Sequence, residues 1–249
     1  MHKRLKMARR LRFVWLPGWS YTPDMYDRII NTIDDATGRH EHLLIDFSKY
    51  EKPSDIIEQM ATQNADRSSS VIIIGWSLGA MVAQKIIEAT ADHISAACLV
   101  SASPSFVKNA TFPHGLPERQ LRLLKKRVLT DPDKAVSDFR DSINPQLRTE
   151  AIANTPSNRT PQDTLLTGLD FLADYRIEPD VSRLIQMPVY LLHGRKDDVC
   201  PLGGAVQLQN IYPCSKLTIS EEAGHDIPFI QPSYFVKWIL ALLDDEHLA

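Results

Sequence analysis

Cysteine is scarce in this chain. Three occur, Cys98, Cys200 and Cys214, an odd number with no C-x-x-C spacing, which argues against a disulfide framework and against a cysteine-built zinc site. A reducing, cytoplasmic setting follows from that usage. No apolar run approaches the roughly 20 residues a membrane-crossing helix needs. The basic opening, MHKRLKMARRLR, has none of the apolar core of a secretory leader and reads as a solvated tail. Charge of one sign is not in excess: 28 Lys and Arg against 31 Asp and Glu leave a net −3, which gives no global reason to expect nucleic acid or an anionic membrane as partner. Internal repeats and low-complexity tracts are also missing. What is left is an ordinary globular composition, 43% apolar and 24% charged over 249 residues, long enough to bury a full core.

The pattern along the chain alternates strand and helix. Strands are expected at 12–16, 42–46, 71–74 and 94–101, with helices at 25–33, 54–63 and 78–90 between them. Such alternation implies βαβ units and a parallel sheet. From 106 to 179 no buried strand is apparent. Prolines punctuate that stretch, and helical periods appear at 116–129, 133–141, near Leu147, and at 162–175. The alternation returns with strands at 189–192 and 216–220 and helices at 205–211 and 233–243. The reading is therefore an α/β core in two pieces, 1–105 and 181–249, with a helical lid insert at 106–180 placed to cover the edge of the sheet.

The most informative stretch is 71–79, VIIIGWSLG. A buried parallel strand reads as an unbroken apolar block, and this one runs straight into Gly75-Trp76-Ser77-Leu78-Gly79, then a helix. G-x-S-x-G between strand and helix sets a serine on a tight corner with its hydroxyl above the sheet. The helix that follows points its N-terminus at the same place, which favours developing negative charge. A serine needs a base, and the base an orienting acid. Asp197, with Asp198 as its competitor, leaves the end of strand 189–192 in Gly194-Arg195-Lys196-Asp197. His225 leaves another strand end after Ala223-Gly224. His193 reads as structural, and His2, His40, His42, His93, His114 and His247 as surface residues. Cys200 falls in the same functional-looking loop as the acid, as an inert small hydrophobe or a pocket wall.

With these residues in the order Ser77, Asp197, His225, the chain resembles the α/β-hydrolase family from about Leu11 to Leu243. The resemblance implies an α/β-hydrolase fold, a mostly parallel central sheet flanked by helices with a helical lid. It implies oxyanion donors at the backbone N–H of Leu78 and of Trp19, the latter in a Pro17-Gly18-Trp19-Ser20 loop where the family usually has His-Gly. The rings of Trp19 and Trp76 are expected to wall the acyl pocket. The phrases Gly18-Trp19-Ser20, Gly75-Trp76-Ser77-Leu78-Gly79-Ala80 and His225-Asp226-Ile227-Pro228-Phe229-Ile230 are similar to one branch of the family, the carboxylesterases of biotin synthesis that demethylate pimeloyl-[acyl-carrier protein] methyl ester. Asp46-Phe47-Ser48-Lys49-Tyr50 lacks the Gly-rich turn common in the family.

The branch implies lid contacts to the acyl chain from Phe139 and Ile143, and an acidic carrier protein as the bearer of the substrate. Arg119, Arg122 and Lys126 share one face of the first insert helix, with Leu121, Leu124 and Val128 on another. Such a basic stripe, extended by Arg140 and Arg148, can steer an acidic partner. The expectation is thus a cytoplasmic, monomeric serine carboxylesterase acting on a small acyl ester, with no metal and no organic cofactor. The rivals are a general small-ester carboxylesterase, a thioesterase or C–C hydrolase, and a non-catalytic binding protein on the same fold.

Overall fold

The computed structural model describes residues 11–63, 70–143 and 160–243. The basic N-terminal segment through residue 10, the helical period near Leu147, Arg148, His2 and His247 lie outside these residues. Among the described residues six strands form one sheet: β1 (Leu11–Leu16), β2 (Glu41–Leu44), β3 (Ser70–Trp76), β4 (Ala96–Val100), β5 (Val189–Gly194) and β6 (Ser215–Ser220). Their order is β2-β1-β3-β4-β5-β6, and every pairing is parallel. The helices are α1 (Asp27–Thr37), α2 (Pro53–Gln63), α3 (Leu78–Thr90), α4 (Glu118–Thr130), α5 (Pro132–Ile143), α6 (Gln162–Asp174), α7 (Pro179–Ser182), α8 (Leu202–Ile211), α9 (Ile227–Ile230) and α10 (Pro232–Leu243).

The strand residues divide by parity between two cores, as a pleated sheet buried on both faces requires. Phe13, Trp15, Ile72, Ile74 and Trp76 join Ile29 and Ile33 of α1 and Phe235 and Ile239 of α10 on one face. Val14, Leu16, Val71 and Ile73 join Ile56 of α2, Ile86 of α3 and Leu208 of α8 on the other. The chain steps from β1 out to β2, then back past β1 to β3 and onward to β6. The reversal lies between β1 and β3, paired from Leu11↔Ser70 to Leu16↔Gly75. Carboxyl ends of neighbouring strands open a crevice at such a reversal, and ligands bind there.

Several boundaries depart from the sequence reading, two of them in the first part of the chain. The second strand ends at Leu44 rather than 46, with Leu43 and Leu44 exposed at the edge of the sheet. The side chain of Asp46 instead accepts the Ser48 N–H at 3.0 Å and starts a one-turn 3₁₀ helix, Phe47–Lys49. That cap takes the place of the missing glycine-rich turn. The helix expected at 25–33 begins as a 3₁₀ turn, Pro23–Tyr26, and continues as α1 to Thr37.

The helical stretch α4 to α6 enters after β4 and returns before β5. Its two ends meet: Ser105 bridges Arg176, and Ile177 N–H donates to Pro104 O at 2.9 Å.

Candidate active site

Ser77 sits between β3 and α3 with φ 54° and ψ −120°, a left-handed backbone that a residue with a Cβ rarely adopts. Packing holds it there. A Cβ on Gly79 would lie 2.1 Å from Leu16 O, and one on Gly75 would lie 2.5 Å from Gly79 O. Only glycines allow β1, β3 and the first turn of α3 to approach this closely. The Ser77 N–H donates to Val100 O at 3.0 Å, and Ser77 O accepts from Met81 N–H at 3.1 Å.

The hydroxyl of Ser77 lies 2.8 Å from His225 Nε2. On the other side of the ring, His225 Nδ1 lies 2.9 Å from Asp197 Oδ2 and 3.1 Å from Oδ1. With Nδ1–H donated to the carboxylate, Nε2 presents its lone pair to the serine proton. All three residues are buried. Asp198 is exposed, so Asp197 is the acid. The Val199 and Cys200 N–H groups donate to Asp197 Oδ1 at 3.0 and 2.8 Å. Burial alone would push this carboxyl up. The charge and hydrogen bond of His225, aided by the Cys200 amide, outweigh burial and hold it below the usual carboxylate range.

Several supports of this trio escaped the sequence reading. The backbone carbonyl of His225 accepts from Trp76 Nε1 at 2.8 Å and from Ser101 Oγ at 2.9 Å, tying the base to the ends of β3 and β4. Ser101 has φ 51°; a small polar residue where a strand meets the carboxyl edge of the sheet was the available signal. His193 Nε2–H donates to Cys200 O at 2.6 Å and lies 3.4 Å from Asp197 Oδ2. Burial pushes the His193 pKa down, so its ring is neutral. Cys200 therefore serves the acid through its backbone, while its buried thiol is pushed far up in pKa and is inert.

Beside Ser77 lies the loop after β1. A Cβ on Gly18 would meet the Trp76 ring at 2.6 Å, so loop and ring are in direct contact. Trp76 departs from expectation: it is fully buried, packed beneath Tyr21, His225 and Phe229, and it braces the site from below. Trp19 Nε1–H donates to Leu165 O of α6 at 2.9 Å, and the Trp19 ring meets Phe139 of α5 edge-on at 5.0 Å. Ile143 ends α5 with its carbonyl close over Gly224, the residue before His225. Trp19 and Leu78 line, with Phe47, Thr164, Thr167 and Gly168, a cavity of about 10 Å³, room for one water.

A family model described as serine aminopeptidase S33 matches residues 44–229, most of the chain. The chain belongs to this hydrolase family. It is a serine ester hydrolase with a Ser-His-Asp triad on an α/β-hydrolase fold. Proteins named pimeloyl-[acyl-carrier protein] methyl ester esterase are similar to this hydrolase along most of its length. The one from Nitrosomonas europaea is 26% identical over 245 residues, covering 92% of this chain and 94% of its own. The one from Vibrio vulnificus is 26% identical over 243 residues, covering 92% of each. Among solved structures, an esterase from Exiguobacterium antarcticum superposes with a TM-score of 0.83 at 17% identity, covering 95% of this chain and 93% of that one. MenH from S. aureus superposes with a TM-score of 0.78 at 19% identity, covering 98% and 97%.

In this hydrolase the insert residues divide. Arg119, Arg122 and Lys126 are exposed on α4, with Leu121 and Val128 buried on its other face. Arg122 pairs with Glu118 at 3.7 Å, and the neighbouring Lys125 pairs with Asp170 of α6. Arg140 departs from the exposed patch it was expected to extend. Half-buried on α5, its guanidinium donates to Ser20 O and lies 4.3 Å above the Tyr21 ring. His42 is not the plain surface residue expected: it accepts from Trp15 Nε1 at 3.0 Å and bonds Asp34 at 3.0 Å. Among the described residues there is no cluster of three or more His, Cys, Asp or Glu that could hold a metal, and no helix is long and apolar enough to cross a membrane.

Proposed function

We propose that this hydrolase cleaves the methyl ester of an acyl chain carried on an acyl carrier protein, with pimeloyl-[acyl-carrier protein] methyl ester as substrate and a place in biotin synthesis. The observation that carries the reading is the 2.8 Å contact between His225 and Ser77, in a chain similar over nine-tenths of its length to proteins named for that reaction. The exposed arginines and lysine of α4 supply a cationic face for an acidic carrier. The three cysteines are free, two of them buried, which favours a reducing cytoplasm.

The steps follow from the triad. Ser77 Oγ attacks the ester carbonyl as His225 Nε2 takes its proton, and ionised Asp197 stabilises the imidazolium. The carbonyl oxygen becomes an oxyanion, with the N–H groups of Leu78 and Trp19 as its donors. Collapse expels methanol, which takes the proton from His225 and leaves an acyl-serine. Water then loses a proton to His225 and attacks the acyl carbon. Ser77 leaves with that proton, and the free acid departs. Phe139 and Ile143, on the lid over the Trp19 and Gly224 loops, contact the acyl chain.

A general carboxylesterase for small esters would use the same triad. Complementation separates the two. Growth of a biotin auxotroph lacking its pimeloyl ester esterase, restored by the wild type and not by Ser77→Ala, supports the carrier-bound substrate. No growth, with p-nitrophenyl acetate hydrolysed by the purified protein, selects the small-ester reading. In either case Ser77→Ala is expected to lose about 10⁴-fold or more in turnover.

A further inference from the structure

The loop that carries Trp19 is held by a cation. Ser20 has φ 69°, a left-handed backbone for a residue with a side chain, which persists only where its surroundings impose it. The imposing group is Arg140 of α5. Its Nη2 donates to Ser20 O, its Nε lies 3.4 Å from Ser20 Oγ, and its guanidinium carbon lies 4.3 Å from the centre of the Tyr21 ring. Tyr21 in turn packs on Trp76 and Phe229, at 5.0 and 4.9 Å between ring centres.

The covalent geometry carries the effect further. Ser20 C=O and Tyr21 N–H belong to one planar peptide, and in a trans peptide the two groups point in opposite directions. That Tyr21 N–H donates to Gly18 O at 3.2 Å. Gly18 C=O and Trp19 N–H are likewise the two sides of one peptide. A line of polar groups therefore runs from the guanidinium through Ser20 C=O and Tyr21 N–H, then through Gly18 C=O, to Trp19 N–H. Each bond fixes the plane of the next peptide, and each polarises the next in the same sense. The far end of the line is the N–H proposed above as an oxyanion donor.

We propose that Arg140 is a positioning residue for ester hydrolysis: acting through two peptide groups, it orients and polarises the Trp19 N–H, so the oxyanion site is complete only while α5 is packed on the Ser20–Tyr21 turn. This rests on the reading of Trp19 as a donor. Arg140 touches no reacting atom, and its influence is on the transition state rather than on substrate binding. The lid then does more than cover the site, because its contact with the loop switches on one of the two donors.

The test compares Arg140→Met and Arg140→Lys with wild type on a neutral p-nitrophenyl ester and on an ester with a terminal carboxylate. Loss of a whole oxyanion donor lowers kcat about 10²- to 10³-fold, so a donor left in place but loosened is expected to cost about tenfold. Arg140→Met should lower kcat by that factor on both esters and leave KM within about twofold. The Ki of a trifluoromethyl ketone should rise by the same factor, and the acyl-enzyme carbonyl stretch should move to higher frequency. Arg140→Lys retains a charge and a donor and should recover most of the loss. Wild-type kcat, Ki and stretch in Arg140→Met would overturn the proposal. So would an effect confined to KM for the carboxylate ester, which would make Arg140 an anion-binding residue. If the methionine variant does not fold, a lysine variant as slow as Arg140→Gln also overturns it. Ser77→Ala judges the serine mechanism separately: full turnover there removes that mechanism whatever Arg140 does, while an inactive Ser77→Ala beside an unaffected Arg140→Met removes only the positioning role.

Discussion

Asp197 shows how far a single atom can decide a reaction. Its Oδ1 is taken by two backbone N–H groups and its Oδ2 faces His225. In Asp197→Asn the amide oxygen keeps the backbone donors, so the NH₂ must turn toward His225 Nδ1. The imidazole is then forced into the tautomer whose Nε2 carries a proton and cannot act as a base. The expected result is a kcat about 10⁴-fold lower in a folded protein, read by steady-state kinetics beside a circular dichroism spectrum. Ser77, Asp197 and His225 were legible in sequence because each lies in a short local pattern of strand end and small-residue turn. Ser101 was not, and Arg140 was legible only as part of a basic patch, without its contact to the Ser20 loop. Their partners are 124 and 120 residues away along the chain, and nothing in the neighbourhood of either residue records that separation.

Elements were legible in proportion to their burial and length. β3 is buried throughout, and its β-branched block announces a central strand. β2, at the edge of the sheet, has two exposed leucines and was extended too far, because the apolar residues alone gave no reason to stop at Leu44. The single-turn helices α7 and α9, four residues each, are too short to display a period. In α4 the apolar and basic stripes were both visible, but Glu118 was not counted against Arg122. The basic face borders a surface groove of about 450 Å³ between α4 and α5, lined by Lys126, Arg127 and Lys134 but also by Asp131 and Asp138, and Lys134 pairs with Asp138 at 3.0 Å. Reversing charge at Arg122 and Lys126 is expected to lower kcat/KM for a carrier-bound ester about tenfold at low salt, with the gap closing as salt rises. Hydrolysis of p-nitrophenyl acetate should stay within twofold. An equal loss on both substrates would remove the docking role.

At the scale of the molecule, the buried site sets how stability follows pH. Burial depresses the pKa of His193, so below about pH 6.5 the unfolded chain binds a proton there that the native state resists. Stability is full above that value and falls as pH drops toward the native pKa. Asp197 is also depressed, and its contribution fades at lower pH, below its ordinary value near 4. The expected outcome is a lower Tm at about pH 5.5 than at about pH 7.5, and His193→Gln, which can still donate to Cys200 O, should flatten that part of the curve. A wild-type Tm indifferent to pH across this interval would contradict the buried neutral ring.

The junction of the insert has its own consequence. Because Ser105 meets Arg176 and Ile177 meets Pro104, the stretch of chain between them leaves and rejoins the rim at a single doorway. It is a cassette, and exchanging it is expected to change which esters reach Ser77 while β4, β5, the serine and its two partners keep their places.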